Sequence, residues 1–424
     1  MPLTLCHLYF KATRIASNLR NRGIQALQAK SYRLEKLRIS YLTKVPVSNK
    51  LAATLISFDI DTDHKIMGFF GADVFLEDLV ECRQIFCSSF LVNAVLCLAC
   101  QEYTAIKPHT NLIRPAAFRE AEMLWQGEGS DGSLVSLAAM GIFSAACIFE
   151  GKDKTGQEVA TILRQEAERL GVCKSSASSS TTATLDLGSP ELVRATSQIA
   201  WGAYNWLTYV ISSRNQAYLN RTIIGSMSSS IIANPSDFLR LYQSPGILRI
   251  GICHTQVIHV IWAQRSLTHA ISDETPISER LKDLVFSYRA NYPEASFTSY
   301  FNPGLFTLSL ALLEDLQDPL WRYYFYICVR CWQDLYFCYP VFRDVAKAFL
   351  SMAMQKDAIA ARETQELLQE IEQSAQHHAA ANEAFTSFIF DPVFSITSEA
   401  QVHAMADRFE EMVLFNEFIE RDFT

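Results

Sequence analysis

The chain has 424 residues, 49% of them hydrophobic and 12% aromatic, which excludes a chain too polar to bury a core. Its net charge of −8 hides an asymmetry: residues 1–50 hold ten Lys/Arg against one acid, Glu35, leaving 27 basic and 44 acidic residues beyond them. A body this acidic repels phosphate, which argues against broad nucleic-acid binding outside the first fifty residues.

The chain in order begins with residues 7–39, which read as a basic helix with Lys11, Arg14, Arg20, Arg22, Lys30, Arg33, Lys36 and Arg38 spread around it. Arg-rich, acid-poor composition fits a mitochondrial presequence, the basic linker that follows a DNA-binding module, or a plain solvated helix (or a misplaced protein start). Pro46 to Lys50 reads as a linker, so residues 1–50 are expected to form a leader outside the main body. Next comes Gly68 to Val80, whose aromatic and leucine spacing suits a short helix. The stretch Phe86 to Tyr103 is almost free of charge. A helix that is apolar on every side needs partners on most sides, so the rest of the body is expected to pack around it.

Downstream, Ala117 to Trp125 reads as an amphipathic helix and Ser133 to Phe143 as an apolar one. The run Leu134 to Phe149 falls short of the roughly 18–20 apolar residues of a membrane span and is rich in Ala, Gly and Ser, so a buried helix and no membrane partner are expected. Glu166 to Val172 ends a helix in Leu170-Gly171. Lys174 to Thr184 is a run of small polar residues, and a mobile loop is expected over 174–189. Ser189-Pro190-Glu191 starts the next helix: Ser caps, Pro suits the first turn, and Glu favours the positive end. Similar signals stand at Asn234-Pro235-Asp237 and at Ser278-Glu279. Residues 246–270, 303–317 and 319–339 read as apolar or aromatic helices. Met354 to Phe388 reads as one long helix with Leu367, Leu368 and Ile371 inward, and Glu399 to Arg421 as a last amphipathic helix docked on its own core. No alternating strand pattern and no internal repeat is visible, so the expected fold class is all-α.

The order of these segments resembles the regulatory domain, or middle homology region, of fungal zinc-cluster transcription factors. The resemblance rests on Phe70, Asp73, Phe75, Asp78 and Leu79, then Leu96 and Ala99 at the end of the apolar helix. It continues through Phe118, Ala121 and Leu124, then Leu134, then Leu170-Gly171, and ends on an R-A-x-x-x-x-W-G pattern at Arg194, Trp201 and Gly202. It covers roughly residues 55–345. It implies a single large multi-helix regulatory domain over 51–345, with helices of 346–424 packed on the same core. It also implies a nuclear location, and a role in transcription regulation through effector sensing, intramolecular inhibition or partner contacts. The implied partners are the transcription machinery or a DNA-binding partner, with room for a small-molecule effector. One departure matters. The family reads DNA through a six-cysteine zinc cluster, and this sequence has no complete one, so DNA binding by this chain is not expected. Either upstream exons encode the cluster or the protein acts through a partner.

Several patterns invite chemistry and fail on context. Cys328, Cys331 and Cys338 spell C-x2-C-x6-C, the first half of such a cluster, but no cysteine follows and the segment is aromatic where the cluster needs Lys/Arg. Cys97 and Cys100 form C-x2-C in the most apolar helix and lack a partner pair; the eleven cysteines are odd in number and mostly in apolar runs, as reduced core thiols are. His254 and His259 are five apart, which puts them on different helix faces. Gly127-Glu128-Gly129-Ser130-Asp131-Gly132 spells G-x-G-x-x-G without the preceding strand that a dinucleotide fold requires, and reads as a helix–helix loop. Glu314-Asp315-Leu316-Gln317-Asp318 is the best enzyme signal, a carboxylate cluster of the kind that holds magnesium in all-helical terpene synthases. The second acidic cluster of those enzymes is missing, and a helix end at Asp318-Pro319 accounts for the acids. No catalytic residue, cofactor site or metal site is therefore expected. A magnesium-dependent enzyme and a non-catalytic scaffold remain as alternatives, and a pocket near Trp201, Trp206, Trp321 and Trp332 is the place an effector would fit.

Overall fold

A computed structural model describes residues 34–128, 131–171, 190–212 and 302–374, with isolated positions 281–283, 285–286, 289, 299 and 409. Among the described residues there is no strand, and the fold is all-α. They fall into two compact units, one within Leu27–Leu248 and one within Arg249–Thr424, where the sequence reading drew one body over 51–345. The basic segment before residue 34, the Ser/Thr-rich stretch 174–189, the helix read at 246–270, the His254/His259 pair and most of Glu399 to Arg421 lie outside the described residues.

The first unit contains α1 (Asn49–Asp61), α2 (His64–Met67), α3 (Ala72–Glu81) and α4 (Ser89–Tyr103). It continues with α5 (Arg114–Glu128), α6 (Leu134–Phe149), α7 (Asp153–Arg169) and α8 (Pro190–Ser212). The apolar helix α4 is its centre, packed by α1, α5, α6 and the 3-10 turn Pro108–Leu112. Every residue from Phe90 to Tyr103 is buried. The helix starts at Ser89 rather than Phe86, because Ser88 caps it by accepting from the Leu91 N–H at 3.1 Å. The chain ahead of the cap is held in a turn by Asp78, whose carboxylate accepts from the Ile85 and Phe86 N–H groups. A second apolar helix, α6, is capped in the same way by Ser133, which accepts from the Ser136 N–H, and it packs on α4, α5, α7 and α8. Among the described residues no helix is long and apolar enough to cross a membrane.

One expectation about the start of this unit changes. Residues 34–50 do not stand outside the body: Leu34, Leu37, Ile39, Leu42 and Val45 are core side chains, and residues 34–38 form turns rather than an α-helix. The sequence reading followed the charges, whereas these five apolar residues decide the matter by burial. Polar pairing completes the attachment, since Asn93 on α4 donates to the Leu42 carbonyl at 3.1 Å and accepts from the Thr43 hydroxyl. The Leu170-Gly171 helix end forms as read: α7 closes with Leu170 as its cap and Gly171 at φ 71°.

The second unit contains α9 (Asn302–Glu314), α10 (Trp321–Cys338), α11 (Phe342–Gln355) and α12 (Ala361–Ser374). The single helix read from Met354 to Phe388 is instead the end of α11, a break over 356–360 and α12. Asp357 in that break has φ 53°, a left-handed conformation no helix accommodates. The boundary placed at 345/346 falls inside α11.

Candidate functional site: a polar belt at the end of the central helix

The last turn of α4 carries the polar residues Gln101, Glu102 and Thr104, all buried. Adjacent positions on a helix point about 100° apart, so Gln101 and Glu102 serve different neighbours. Gln101 Nε2 donates to the Ala146 carbonyl at 3.1 Å and to Glu150 Oε2 at 3.0 Å, fixing the end of α6. Glu150 in turn meets the buried Arg114 guanidinium at 3.1 Å, which brings in the first residue of α5. Thr104 closes the belt, donating to the Cys100 carbonyl at 2.8 Å and lying 3.4 Å from the Thr110 hydroxyl.

Glu102 faces the end of α1. Its Oε2 is 3.5 Å from the Thr62 hydroxyl, and Tyr103 beside it meets Phe58 edge-on with centroids 5.1 Å apart. Asp59, in the last turn of α1, and Asp63, which precedes α2, are buried here together with His64. Burial pushes the Asp59 carboxyl well above the usual carboxylate range, and the neighbouring Asp63 adds to this. Burial also pushes the His64 imidazole down to about 4, opposed by a hydrogen bond with the Phe70 backbone. The imidazole is therefore neutral at pH 7, and it lies against the Phe70 ring with centroids 4.0 Å apart.

Chemically, the belt holds its reactive groups in their inert forms. Burial raises the thiols of Cys97 and Cys147 and lifts Cys100 to about 12, so no thiolate is available at pH 7. Among the described residues no three His, Cys, Asp or Glu side chains converge as a metal would need. What the belt does is bind α1, α5 and α6 to α4 through hydrogen bonds that a purely apolar helix end would lack. From the sequence this helix reads as apolar and almost free of charge, with no role assigned to its polar residues. The signal was there in Asn93, Gln101 and Glu102, polar residues inside an apolar run, which stay buried only when partnered.

The residues behind the family resemblance have mainly packing roles. Phe70, Phe75, Asp78, Leu79, Leu96, Ala99, Phe118, Ala121 and Gly202 are buried; Leu124, Leu134, Leu170, Gly171 and Trp201 are half-buried; Asp73 and Arg194 are exposed. Asp73 sits in the first turn of α3, where a negative charge faces the positive helix end. Gly71, Gly141 and Gly202 converge on the turn that follows α2. A Cβ on Gly141 would stand 2.5 Å from the Phe69 ring, and one on Gly202 would stand 2.6 Å from Phe69 Cα.

The patterns set aside on sequence grounds have ordinary positions. Cys328, Cys331 and Cys338 are buried on α10, and Cys331 accepts from Arg289 at 3.3 Å. Gly127 and Glu128 belong to α5, and Gly132 turns the chain at φ 72° before Ser133; Gly129 and Ser130 lie outside the described residues. Glu314 ends α9 and Asp315 follows it, both exposed, whereas Asp318 pairs with Lys282 and accepts from the Leu320 N–H. Among the described residues these three carboxylates do not form a group that could hold a metal ion. Of the tryptophans, Trp206 is buried in the first unit and donates to Ser144 at 2.9 Å, and Trp201 there is half-exposed beside Tyr204. In the second unit Trp321 donates to the Leu312 carbonyl, and the buried Trp332 packs against Phe306 and Phe342. Compared with known proteins, the chain matches no family model, no curated protein and no solved structure.

Proposed function

We propose that the chain is a non-catalytic regulatory module of a transcription regulator, of the kind found beside fungal zinc clusters, and that it acts in the nucleus through the transcription machinery or a DNA-binding partner. The observation that supports this reading is the Phe69–Gly202 junction. Gly202, at the end of the Arg194 to Gly202 motif, meets the backbone of Phe69, the residue just before the motif that begins at Phe70, and Gly71 faces Ala195 and Gln198, although the segments are more than a hundred residues apart in sequence. A series of loose motifs read by chance would not be expected to supply each other's packing. The protonated state of the buried thiols agrees with a module whose work is recognition rather than catalysis. Glu314 and Asp315 are exposed and Asp318 is taken up by Lys282, which gives no support to the magnesium-enzyme alternative.

The test is a pair of measurements in a fungal cell. Full-length tagged protein is expected in the nucleus and in cross-linked chromatin. A fusion to an unrelated DNA-binding domain is expected to change reporter transcription, with the Gly202→Leu variant, which disrupts the junction, losing the effect. Protein confined to mitochondria or cytosol, with no recovered chromatin and a silent fusion, overturns the reading.

A further inference from the structure

Residues 35–50 carry the cations Lys36, Arg38, Lys44 and Lys50 against a single acid, Glu35, and all of these side chains are exposed. The residues between them hold the segment down. Leu34, Leu37, Ile39, Leu42 and Val45 are buried, and Asn93 on α4 fastens Leu42 and Thr43. In the 3-10 turn Ile39–Tyr41 a spacing of three separates the two sides: Ile39 and Leu42 are buried, Arg38 and Tyr41 exposed. Tyr41 is 60% exposed, a large ring left in water on a segment that is otherwise anchored. The start of α1 joins the same turn, because Asn49 Oδ1 accepts from the Ile39 N–H at 3.0 Å, and this brings in Lys50.

These cations differ from those elsewhere in the chain. Beyond residue 50, Arg83, Arg114, Arg169, Arg289, Arg330 and Arg343 each meet a carboxylate. Lys36, Lys44 and Lys50 meet none among the described residues, and Arg38 reaches only the Cys82 sulfur, at 3.9 Å. Across Cys82, the acids Glu77, Asp78 and Glu81 are gathered by Arg83, and Asp59 and Asp61 lie at the far end of α1. Lys50 stands in the first turn of α1, which has no acid, so its charge opposes the positive helix end. Like charges held in one short segment also repel one another. Nothing among the described residues offsets this, whereas an anion laid across the segment would.

We infer that the outer side of residues 36–50 is a binding surface for single-stranded nucleic acid, with Lys36, Arg38, Lys44 and Lys50 meeting phosphates and Tyr41 stacking on a base. The segment favours a nucleic acid over an acidic protein helix. Such a helix needs an apolar seam between its charges, and here the large aliphatic side chains are buried and one ring is left outside. A ring flanked by cations fits a base flanked by phosphates. Screening over roughly 8 Å at physiological salt lets this local charge, rather than the negative total, decide what approaches. Contacts to phosphates and to one base face carry little sequence information, so this surface does not replace a zinc cluster. The inference does not rest on the proposed regulatory role, which is read in cells; the purified chain reads this one.

The test measures binding of the full chain to a fluorescent oligo(dT) strand of about 20 nucleotides, to a duplex of equal length and to poly-glutamate. The variant Lys36→Gln/Arg38→Gln/Lys44→Gln/Lys50→Gln is expected to bind the strand at least about tenfold more weakly. Its slope of log affinity against log salt should flatten by about 2–3, at roughly 0.7 per phosphate contact. Tyr41→Ala is expected to weaken the single strand about tenfold and to leave the duplex unchanged. The altered side chains are exposed, so both variants should keep the thermal midpoint of the parent. Strand binding that survives the four-residue change, equal loss of strand and duplex in Tyr41→Ala, or tighter binding of poly-glutamate than of the strand overturns the inference. If a variant does not fold, the unmodified chain still decides. Oligo(dT) is expected to protect Lys36, Lys44 and Lys50 from acetylation, read by peptide mapping, and unprotected lysines overturn it.

Discussion

Gly202 on α8 presses so closely on Phe69 that a Cβ there would stand 2.6 Å from the Phe69 Cα and 2.9 Å from its backbone nitrogen. Backbone atoms cannot rotate away as a flexible side chain can. Gly202→Ala must therefore move a helix or the turn, and the expected cost is about 2–3 kcal/mol by analogy with overpacked cores. Gly127, on the exposed side of α5, has nothing within 4 Å of its Cβ position. Gly127→Ala is expected to stabilise by about 0.5–1 kcal/mol through helix propensity. Urea midpoints of the two variants should move in opposite directions; a Gly202→Ala midpoint equal to that of the parent would show that the junction yields.

Ser144 carries two obligations with one hydroxyl. It donates to the Gly156 carbonyl at 2.7 Å and accepts from Trp206 Nε1 at 2.9 Å. Ser144→Ala leaves a buried acceptor and a buried indole donor without that partner. The expected loss is about 2–3 kcal/mol, larger than an ordinary hydrogen bond. Ser144→Ala/Trp206→Phe should recover part of it, because both ends of one bond are then absent, and a double-mutant cycle measures this directly.

Asp78 is a buried carboxylate that organises the entry to α4, accepting from two backbone N–H groups and from Arg83 Nε at 2.9 Å. Asp78→Ala is expected to cost about 2–4 kcal/mol, since it frees backbone donors that have no other described acceptor. Arg83 is 42% exposed and its other partners, Glu77 and Glu81, are exposed as well. Arg83→Ala should therefore cost under about 1 kcal/mol. Denaturation that ranks Arg83 above Asp78 would mean that the ion pair, and not the backbone bonds, holds the turn.

The folded-state value of about 4 for His64 lies below its ordinary 6.5. An imidazole depressed by folding contributes stability that is complete above pH 6.5 and is lost as pH falls through the range from 6.5 to 4. The total is about 3 kcal/mol at roughly 1.4 kcal/mol per pH unit. Asp59 works in the opposite sense, because a raised carboxyl favours the folded state at low pH and loses that contribution as pH rises. Comparing the parent with His64→Phe cancels the Asp59 contribution to first order. The variant should show a flatter decline in stability between pH 6.5 and 4, and parallel curves would place the titration elsewhere.

Among the eight described cysteines, only Cys82 is part-exposed, and Arg38 Nη2 lies 3.9 Å from its sulfur. Cys87 is buried and raised to about 12. A thiol reagent at pH 7.5 should modify Cys82 first among these eight, and the others only at the rate of unfolding, as peptide mapping of the labelled chain can show. Early labelling of Cys97 or Cys147 would contradict the packing of α4 on α6.

Much of this was decided in the sequence itself. The caps at Ser88 and Ser133, the turn at Leu170-Gly171, the absence of a strand pattern and the centrality of the apolar helix follow from local chemistry, because a cap or a period needs only its own neighbours along the chain. Tertiary structure decided what depends on partners distant in sequence. The segment from Leu34 to Val45 reads as part of a charged leader, yet Leu34, Leu37, Ile39, Leu42 and Val45 are core, since burial of these side chains outweighs the surrounding lysines and arginines. Gln101 and Glu102 looked incidental, and their roles appear only where Ala146, Glu150 and Thr62 supply the other half of each bond. The same holds for Gly202. A sequence can show that a glycine is present, but the reason for it is the backbone of Phe69, and only the folded chain brings the two together.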